Sequence, residues 1–303
     1  MTKAAELAKM GEILTNSSKG RTNLIINGDM AIKQRGASSV TSGYFVDRFT
    51  LSGCSASAVI TSGTPTEFPT AITVSATSGN PIISQRIESK NVQHLSGKVV
   101  TVSFFAKNVS NATTLFTSLQ TADSADDFSS TTTIQEQNLG TLTSDYVKYT
   151  ASWTVPAAGL NGLALNILCS GSSTFTMAVT GVQLQEGSVA TPFEHLSRAE
   201  SLSLCLRYYT QSNPGSSIAS GDVSFGRAPR PLMIPFATTM RASPTVQTKT
   251  DVDTGSGRYI VSGEGNFTDG ANIQALPTVF TMHTPQTSSS NATKCGFTAD
   301  AEL

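Results

Sequence analysis

The 303-residue chain is poor in charge, and what it lacks excludes several classes of protein. Asp, Glu, Lys and Arg make up 14% of the residues and the formal net charge is −1, without a basic block that would bind nucleic-acid phosphates. No apolar run approaches the roughly 18–20 residues that a membrane-spanning helix needs, and the N-terminal segment lacks the apolar block of a signal peptide. We therefore expect neither nucleic-acid binding nor membrane insertion.

Recognisable catalytic and metal-binding patterns are also missing from the sequence. It contains no GxSxG, HExxH, P-loop or GxGxxG motif. The four scattered cysteines form no CxxC pair and the three histidines share no ligand spacing, so we expect reduced core cysteines and no metal centre. A glycosidase-like pair of carboxylates stays open as an alternative, with these candidates: Asp29, Asp47, Glu88, Glu186 and Glu194. Because no pattern selects one pair among them, we expect that the protein is not an enzyme.

Short alternating segments rich in Ser, Thr, Gly and Asn are typical of antiparallel β-sheets with polar outer faces. Residues 97–107 predict a central strand, since both faces are partly apolar. The alternation in 145–156 places Trp153 in the core, and the less favoured alternative is a sugar-stacking platform. A switch of apolar parity at Gly181 predicts a β-bulge. Further strands are predicted at 23–28, 43–53, 81–89, 163–168 and 175–184. About eight or nine such strands predict a jelly-roll sandwich over 21–195.

Two groups of charged residues have alternative interpretations. Asp47 and Arg48 lie inside the apolar strand predicted at 43–53, where a pair that locks the sheet is favoured over a ligand contact, because buried charges need partners. The aspartate-containing stretch 121–133 predicts a solvated surface loop. This interpretation is favoured over a calcium site, because the EF-hand spacing and its closing Glu are absent.

The stretch 182–209 carries a clear helix signal. Ser197 stands three residues before Glu200, which is the spacing of a capping box. Four residues behind it fall at i, i+3, i+4 and i+7 and predict one apolar helix face: Leu202, Cys205, Leu206 and Tyr209. The pattern predicts a short linking helix over 196–207, between the sandwich and a second, smaller C-terminal β-domain over 208–303.

The first residues predict a separate helical segment over 1–20. Leu7, Met10 and Leu14 are spaced three and then four apart, which is the seam spacing of a coiled coil. Two turns of such a seam are too short to be stable alone. The segment is therefore either a fraying amphipathic terminus or a docking and oligomerising element whose partner supplies the missing burial.

Five motifs follow one another along the chain: NLIINGDMAIKQRG (23–36), GYFVDRF (43–49), QRIES (85–89), GKVVTVSFFAK (97–107) and GVQLQEGSVATPFEHLSRAESLSLCLRYY (181–209). Taken in this order, they resemble a family of tailed-bacteriophage tail-fibre and tail-associated proteins. MIPFATTMRASPTV (233–246) and FTADAEL (297–303) look like the second domain often found in those proteins. The opening MTKAAELAKMGEILTN is similar to fibres of marine and cyanobacterial phages. The motifs are short, but the resemblance covers nearly the whole chain.

The resemblance implies that the protein is a tail fibre of the virion. It also implies a homotrimer, which is assembled in the host cytoplasm. Its residues 1–20 would dock to other tail proteins, and its β-domains would bind host surface polysaccharide without catalysis. Two alternatives stay open: a glycan depolymerase of the tail, and a purely structural tail or capsid adaptor or decoration protein.

The resemblance also implies that the sandwich is similar to carbohydrate-binding modules, some of which hold a structural calcium. Where the family often shows Gln-Leu-Glu-Glu-Gly, this chain has Gln183-Leu184-Gln185-Glu186-Gly187, with one carboxylate fewer. A structural calcium is the one cofactor that the resemblance leaves open. The motifs themselves are expected to define the sandwich, with receptor contacts left to variable loops.

Overall fold

A computed structural model describes most of the chain as two compact units, and its architecture is mainly β as predicted. The described ranges are 22–35, 40–53, 55–60, 63–76, 80–157, 160–211, 231–249, 260–261, 272–283, 293–294 and 296–303. Unit 1 comprises Met1–Ser201 together with Leu303, and unit 2 comprises Leu202–Glu302. The predicted docking residues Leu7, Met10 and Leu14 lie outside the described residues.

The described residues of unit 1 form nine strands, two of which are unusually long. The strands are β1 (Gly43–Val46), β2 (Phe49–Ser52), β3 (Ser55–Ile60), β4 (Ala71–Ala76), β5 (Ile82–Glu88), β6 (Val99–Ser124), β7 (Asp127–Thr141), β8 (Val147–Thr154) and β9 (Gly162–Glu186). All described pairings between them are antiparallel. A short helix that the sequence did not predict follows β5: α1 (Ser89–Val92), continued by a 3₁₀ turn at Gln93–Leu95.

The long strands β6 and β9 each contribute to two layers of a sandwich. In layer 1 the order is β1, β2, β5, the first half of β9, the second half of β6, and β7. In layer 2 the order is β3, β4, the second half of β9, the first half of β6, and β8. One apolar core lies between the layers and takes residues from both, such as Ile83 and Leu165 from layer 1 and Val102 and Phe104 from layer 2.

Three local predictions for the sandwich are confirmed. The strand predicted at 97–107 lies between β8 and β9 and is therefore central. Trp153 points into the core and is 2% exposed. At Gly181 the pairing of β9 with β6 shifts register, and the glycine adopts a φ of +64°, so the predicted bulge is present. In the same alternation, however, Val147 was predicted inward and is 41% exposed.

Four predicted elements differ from the structure. The segment 43–53 is not one strand but the hairpin of β1 and β2, with Asp47 and Arg48 as its turn. The stretch 121–133 is not a solvated loop, because β6 and β7 form a hairpin there. The predicted strands 163–168 and 175–184 are one continuous strand, β9.

The fourth correction concerns residues 23–28, which form no strand. Side-chain amides, rather than a neighbouring strand, bind the backbone of this segment. Gln85 accepts from the backbone amide of Ile26 at 2.7 Å and donates to its carbonyl at 2.9 Å. Asn23 binds the Leu184 amide through its side-chain oxygen at 3.1 Å. The apolar run therefore reflects burial rather than membership of a sheet.

The predicted helix at 196–207 is present as α2 (Arg198–Leu206). The backbone amide of Ser197 donates to the Glu200 carboxylate at 3.0 Å, and the Glu200 amide donates to the Ser197 hydroxyl at 3.3 Å, so both capping-box hydrogen bonds exist. These contacts lower the pKa of Glu200. Cys205 is buried, but Tyr209 belongs to the following strand rather than to the helix.

Within unit 2, the residues that the structure describes form eight short strands in three small sheets. The strands are β10 (Tyr209–Gln211), β11 (Pro231–Pro235), β12 (Thr245–Lys249), β13 (Ile260–Val261), β14 (Asn272–Leu276), β15 (Val279–His283), β16 (Thr293–Lys294) and β17 (Gly296–Asp300). As the prolines predict, β11 lies at a sheet edge. Phe280, Phe297 and Phe236 pack together in the core of this unit.

Within the part of the chain that the structure describes, no helix is both long and apolar enough to cross a bilayer. The two cysteines among the described residues, Cys169 and Cys205, are both buried, as expected for core residues. Burial raises the pKa of the Cys169 thiol to about 11. Cys54 and Cys295 lie outside the described residues.

Candidate functional site

The outer face of layer 1 is a broad surface on which polar and aromatic side chains lie in register. Ile83, Ile87 and Leu165 point into the core, so the residues that alternate with them point outward. We call these outward residues the layer 1 face. It comprises Tyr44 from β1, Thr50 from β2, Ser84 and Arg86 from β5, Ala164, Asn166 and Leu168 from β9, Phe116, Ser118 and Gln120 from β6, and Thr133, Glu136 and Asn138 from β7.

The centre of the layer 1 face presents amides next to rings. Asn166 is 7% exposed and donates to the Ser118 hydroxyl at 3.2 Å. Gln120 donates to Thr133 and accepts from Thr131, both at 3.2 Å. The ring of Phe116 is half-buried beside them. Half-buried rings and ordered amides are groups that stack on sugar rings and bind their hydroxyls.

One end of the layer 1 face carries a guanidinium beside an aromatic ring. The Arg86 guanidinium lies 5.4 Å from the centroid of the Phe128 ring, and its Nη1 donates to the main-chain oxygen of Leu303. The Tyr44 hydroxyl donates to the same oxygen over 3.4 Å. The Leu303 side chain packs on an apolar floor made of Ala122, Phe128 and Ala164. We call Tyr44, Arg86, Phe128 and Leu303 the Arg86 cluster.

A glycine allows Phe128 to reach its place in this cluster. Gly162 begins β9 with a φ of +127°, and a Cβ there would lie 2.8 Å from the Phe128 ring. Any larger residue would therefore displace the ring as well as strain the backbone. Arg86 is fixed through its own main chain, because Arg48 Nη2 donates to the Arg86 carbonyl at 2.6 Å.

The outer face of layer 2, by contrast, carries two buried glutamines that fasten residues 187–196 over it. Gln183 accepts from the Glu194 amide at 2.8 Å, and Gln185 donates to the Val189 carbonyl at 3.1 Å. Lys148 adds a hydrogen bond to the Thr191 carbonyl at 3.1 Å. Part of this second outer face is thus occupied by the chain itself, which leaves layer 1 as the candidate surface.

The residues singled out by the family resemblance hold the fold. Asn27 adopts a φ of +60° and binds the carbonyls of Ile32 and Asp47 at 2.9 and 3.0 Å. Gly28 packs so closely that a Cβ would lie 2.0 Å from the Val182 carbonyl oxygen. These contacts agree with the expectation that the motifs define the sandwich rather than a binding site.

The carboxylates considered as catalytic candidates also make structural contacts. Asp47 accepts from the backbone and the side chain of Gln34, at 2.9 and 2.5 Å, and burial raises its pKa despite these hydrogen bonds. Glu186 forms an ion pair with Lys98 at 3.0 Å. Glu194 accepts from the backbone amides of residues 22 and 23 at 2.9 and 2.6 Å.

The residues predicted as site residues and the residues of the layer 1 face hardly overlap. Ser197 and Glu200 cap a helix, and the key groups of the layer 1 face were not selected from the sequence at all. Arg86 lies in the QRIES motif. It is two residues from Ser84 on β5 and therefore lies on the same outer face, and this period of two was the signal by which the sequence could have identified it. Among the described residues, no group of three or more His, Cys, Asp or Glu is arranged to hold a metal ion.

Neither the protein-family models nor the curated proteins contain a match to this chain. Solved structures are similar to about half of it, and three of them are the following. The enzymatically active domain of bacteriophage CBA120 tailspike protein 4 shares 17% identity at a TM-score of 0.35, over 55% of this chain and 22% of that one. A putative sugar binding protein from Bacteroides thetaiotaomicron shares 13% identity at a TM-score of 0.37, over 55% of this chain and 100% of that one.

The third is the CBM22-1 xylan-binding domain of Paenibacillus barcinonensis Xyn10C, with 13% identity and a TM-score of 0.35, over 55% of this chain and 96% of that one. This chain thus spans about a fifth of the tailspike domain but nearly all of the two smaller proteins. Because the three TM-scores lie below 0.5, the likeness by itself assigns no function.

Proposed function

We propose that this protein is a non-enzymatic adhesion protein of a phage tail fibre and that its layer 1 face binds host surface polysaccharide. The observation that carries the proposal is the side-by-side arrangement of half-buried rings, amides and a guanidinium on one sheet face. Phe116 offers a half-buried ring for stacking, and the half-buried Gln120 offers an amide donor and acceptor to sugar hydroxyls. A rigid sheet holds these groups in place before the ligand arrives, which limits the entropy lost on binding.

The placement of the protein in a virion tail is supported by the ordered motifs that resemble tail-fibre proteins. On this proposal residues 1–20 dock to other tail proteins, and several copies, three in a trimer, present their faces together. Each face then binds weakly, and the linked copies raise the effective concentration of the next face, so the assembly adheres firmly.

Retention on purified host polysaccharide tests the proposal. Wild-type protein is expected to be retained, and Phe116→Ala to weaken retention by about tenfold, because one stacked ring contributes on the order of 1–2 kcal/mol. Val147→Ala is the control, since Val147 is an apolar residue with an exposed side chain but belongs to β8 in layer 2.

Incubating the protein with the same host polysaccharide also distinguishes the proposal from the two alternative functions, a depolymerase and a structural protein. New reducing ends would show a depolymerase in place of a binder. A protein that neither binds nor shortens host polysaccharide, and whose removal leaves phage adsorption unchanged, would fit a structural adaptor or decoration protein and contradict the proposal.

A further inference from the structure

Three apolar side chains form a row across the outer side of layer 1. Ile82 on β5 pairs with Leu168 on β9, and Leu168 pairs with Phe116 on β6, so the three are direct cross-strand neighbours. Each is adjacent in sequence to a residue of the core, in the order Ile83, Ile167 and Leu115. Because successive side chains of a strand point to opposite faces, the row points outward. All three side chains are half-buried, and we call them the apolar row.

Polar residues surround the apolar row. At its ends lie Ser52 on β2, which pairs with Ile82, and Asn138 on β7, which pairs with Phe116, and both are exposed. Two residues away along the strands lie Ser84, Asn166 and Ser118 on one side, and Ser170 and Thr114 on the other. Sites for small ligands combine such an apolar lining with a few placed polar groups.

The apolar row is aromatic at one end and aliphatic at the other. The flat ring of Phe116 suits the C–H face of a sugar ring. Ile82 and Leu168 are branched, present methyl groups in place of a flat face, and carry no hydrogen-bonding atom in their side chains. Neighbouring strands lie about 4.8 Å apart, so a substituent of a sugar stacked on Phe116 can reach Leu168.

The aliphatic end of the row favours a methyl group over a hydroxymethyl group. In common hexoses the exocyclic carbon carries a hydroxyl, whereas in 6-deoxyhexoses it is a methyl group. A hydroxyl placed over Ile82 and Leu168 would lose water without gaining a partner from these side chains, which costs free energy. A methyl group in the same place loses no hydrogen bond and buries apolar surface, which is favourable.

The polar surroundings can hold the hydroxyls of the same sugar. Asn138 is exposed, and its side-chain oxygen accepts from the Gly140 amide at 2.8 Å, which orients the amide and leaves its NH2 group as a donor. Ser84 is half-buried, so its hydroxyl can also reach a ligand. Asn166 and Ser118 are buried and hydrogen-bonded to each other at 3.2 Å, so they form the floor between these groups.

We propose that the apolar row is the subsite for the methyl group of a 6-deoxyhexose and that the host glycan contains sugars of this class. The sugar ring stacks on Phe116, its C6 methyl group lies on Leu168 and Ile82, and its ring hydroxyls bind the surrounding polar side chains. This inference rests on the proposed function, because it names the class of sugar for the same face.

Matched sugars that differ only at C6 test the inference. D-fucose is compared with D-galactose, L-rhamnose with L-mannose, and 6-deoxy-D-glucose with D-glucose, by NMR titration of the wild-type protein. In at least one pair the deoxy sugar is expected to bind about fourfold more tightly or better, which corresponds to the burial of one methyl group. The same sugar is expected to shift the methyl resonances of Ile82 and Leu168.

Variants separate the methyl contact from ring stacking. Leu168→Thr replaces the aliphatic surface but keeps a residue that favours strands, so it should abolish the preference and leave the affinity for the parent hexose unchanged. Ile82→Val keeps an aliphatic side chain and should retain most of the preference. Phe116→Ala should weaken both sugars of a pair alike, because the ring stacks on either.

The control is Val147→Thr, which makes the same kind of change at an exposed apolar position on β8 in layer 2 and should keep the preference. Circular dichroism checks that each variant is folded.

The outcomes distinguish this inference from the proposed function. Equal affinity within all three pairs, no detectable binding of any of these sugars, or a preference that survives Leu168→Thr would overturn the inference. A preference for N-acetylglucosamine over D-glucose, without one inside the pairs, would assign the row to an acetyl group and overturn it too. Retention of wild-type protein on host polysaccharide leaves the proposed function intact in each of these cases, whereas a wild type that is not retained overturns the proposed function itself.

Discussion

The side-chain oxygen of Gln185 accepts hydrogen bonds from both the backbone amide and the hydroxyl of Thr191, at 3.2 and 2.6 Å. The Gln183 amide donates to the same oxygen at 2.7 Å. Gln185 is 1% exposed, and Gln183 is fully buried. A neutral, buried amide thus holds the segment that follows β9.

Gln185→Ala is expected to lower the free energy of unfolding of unit 1 by about 3 kcal/mol, because it leaves several donors at a buried site without an acceptor. Urea denaturation measures the change. Gln135→Ala, an exposed position on β7, is the control and should change stability by less than about 0.5 kcal/mol. Equal effects of the two variants would show that the Gln185 contacts do not stabilise the sandwich.

Gly181→Ala is expected to destabilise unit 1 more than Gly140→Ala does. Both glycines have positive φ angles, +64° and +88°, so both variants strain the backbone by about 1–2 kcal/mol. A Cβ at Gly181 would also lie 2.4 Å from the Phe68 ring, whereas nothing lies within 4 Å at Gly140. Thermal unfolding of the two variants therefore compares backbone strain alone, in Gly140→Ala, with backbone strain plus steric overlap with Phe68, in Gly181→Ala. A larger loss for Gly140→Ala would contradict the close packing at the bulge.

The stability of unit 1 should depend on the ionisation of Asp47. Burial raises the pKa of Asp47 above its usual value of 3.8, so the folded state binds the proton more tightly than the unfolded state does. The stabilisation from this proton is fully present below the unfolded pKa and is lost as the pH rises through the folded pKa. Wild-type protein should therefore gain stability relative to Asp47→Asn as the pH falls toward 3.8.

Urea titrations of both proteins at a series of pH values measure this difference. Asp145→Asn, at an exposed position, serves as the control for general effects of acid. A difference between wild type and Asp47→Asn that stays constant with pH, or changes in the opposite direction, would refute the assignment.

The single tryptophan should report the core and not the ligand. Trp153 is 2% exposed, and its indole N–H has no hydrogen-bond partner among the described residues. Iodide is therefore expected to quench its fluorescence several-fold less than that of free tryptophan, and added polysaccharide should leave the emission unchanged. An emission shift on glycan binding would instead support the alternative in which Trp153 stacks on a sugar.

The sequence predicted those features whose cause is local. Trp153 and Gly181 were placed correctly because strand alternation has a period of two and a bulge interrupts it visibly. The hairpin at Asp47 and Arg48 was missed because its turn lacks the usual Gly or Asn; Arg48 itself adopts a φ of +74°. The hairpin of β6 and β7 was missed because β7 is a polar edge strand with little apolar alternation.

The Arg86 cluster illustrates what one sequence does not reveal. Arg86 meets an oxygen 217 positions away in the chain, and its supporting ring, Phe128, comes from another strand. The alternation of side chains along β5 is enough to predict that Arg86 points outward. Which residues contact its guanidinium depends on the register of β5, β6, β7 and β9. Only the assembled layers define that register.

The most direct test of the central claim is a hydrogen-exchange footprint of bound host polysaccharide. The account predicts slower amide exchange on binding in β5, in the first half of β9 and in the second half of β6, which together form the layer 1 face. Exchange in residues 187–196, which cover part of layer 2, should not change. Protection confined to 187–196, or to unit 2, would contradict the assignment of the layer 1 face as the binding surface.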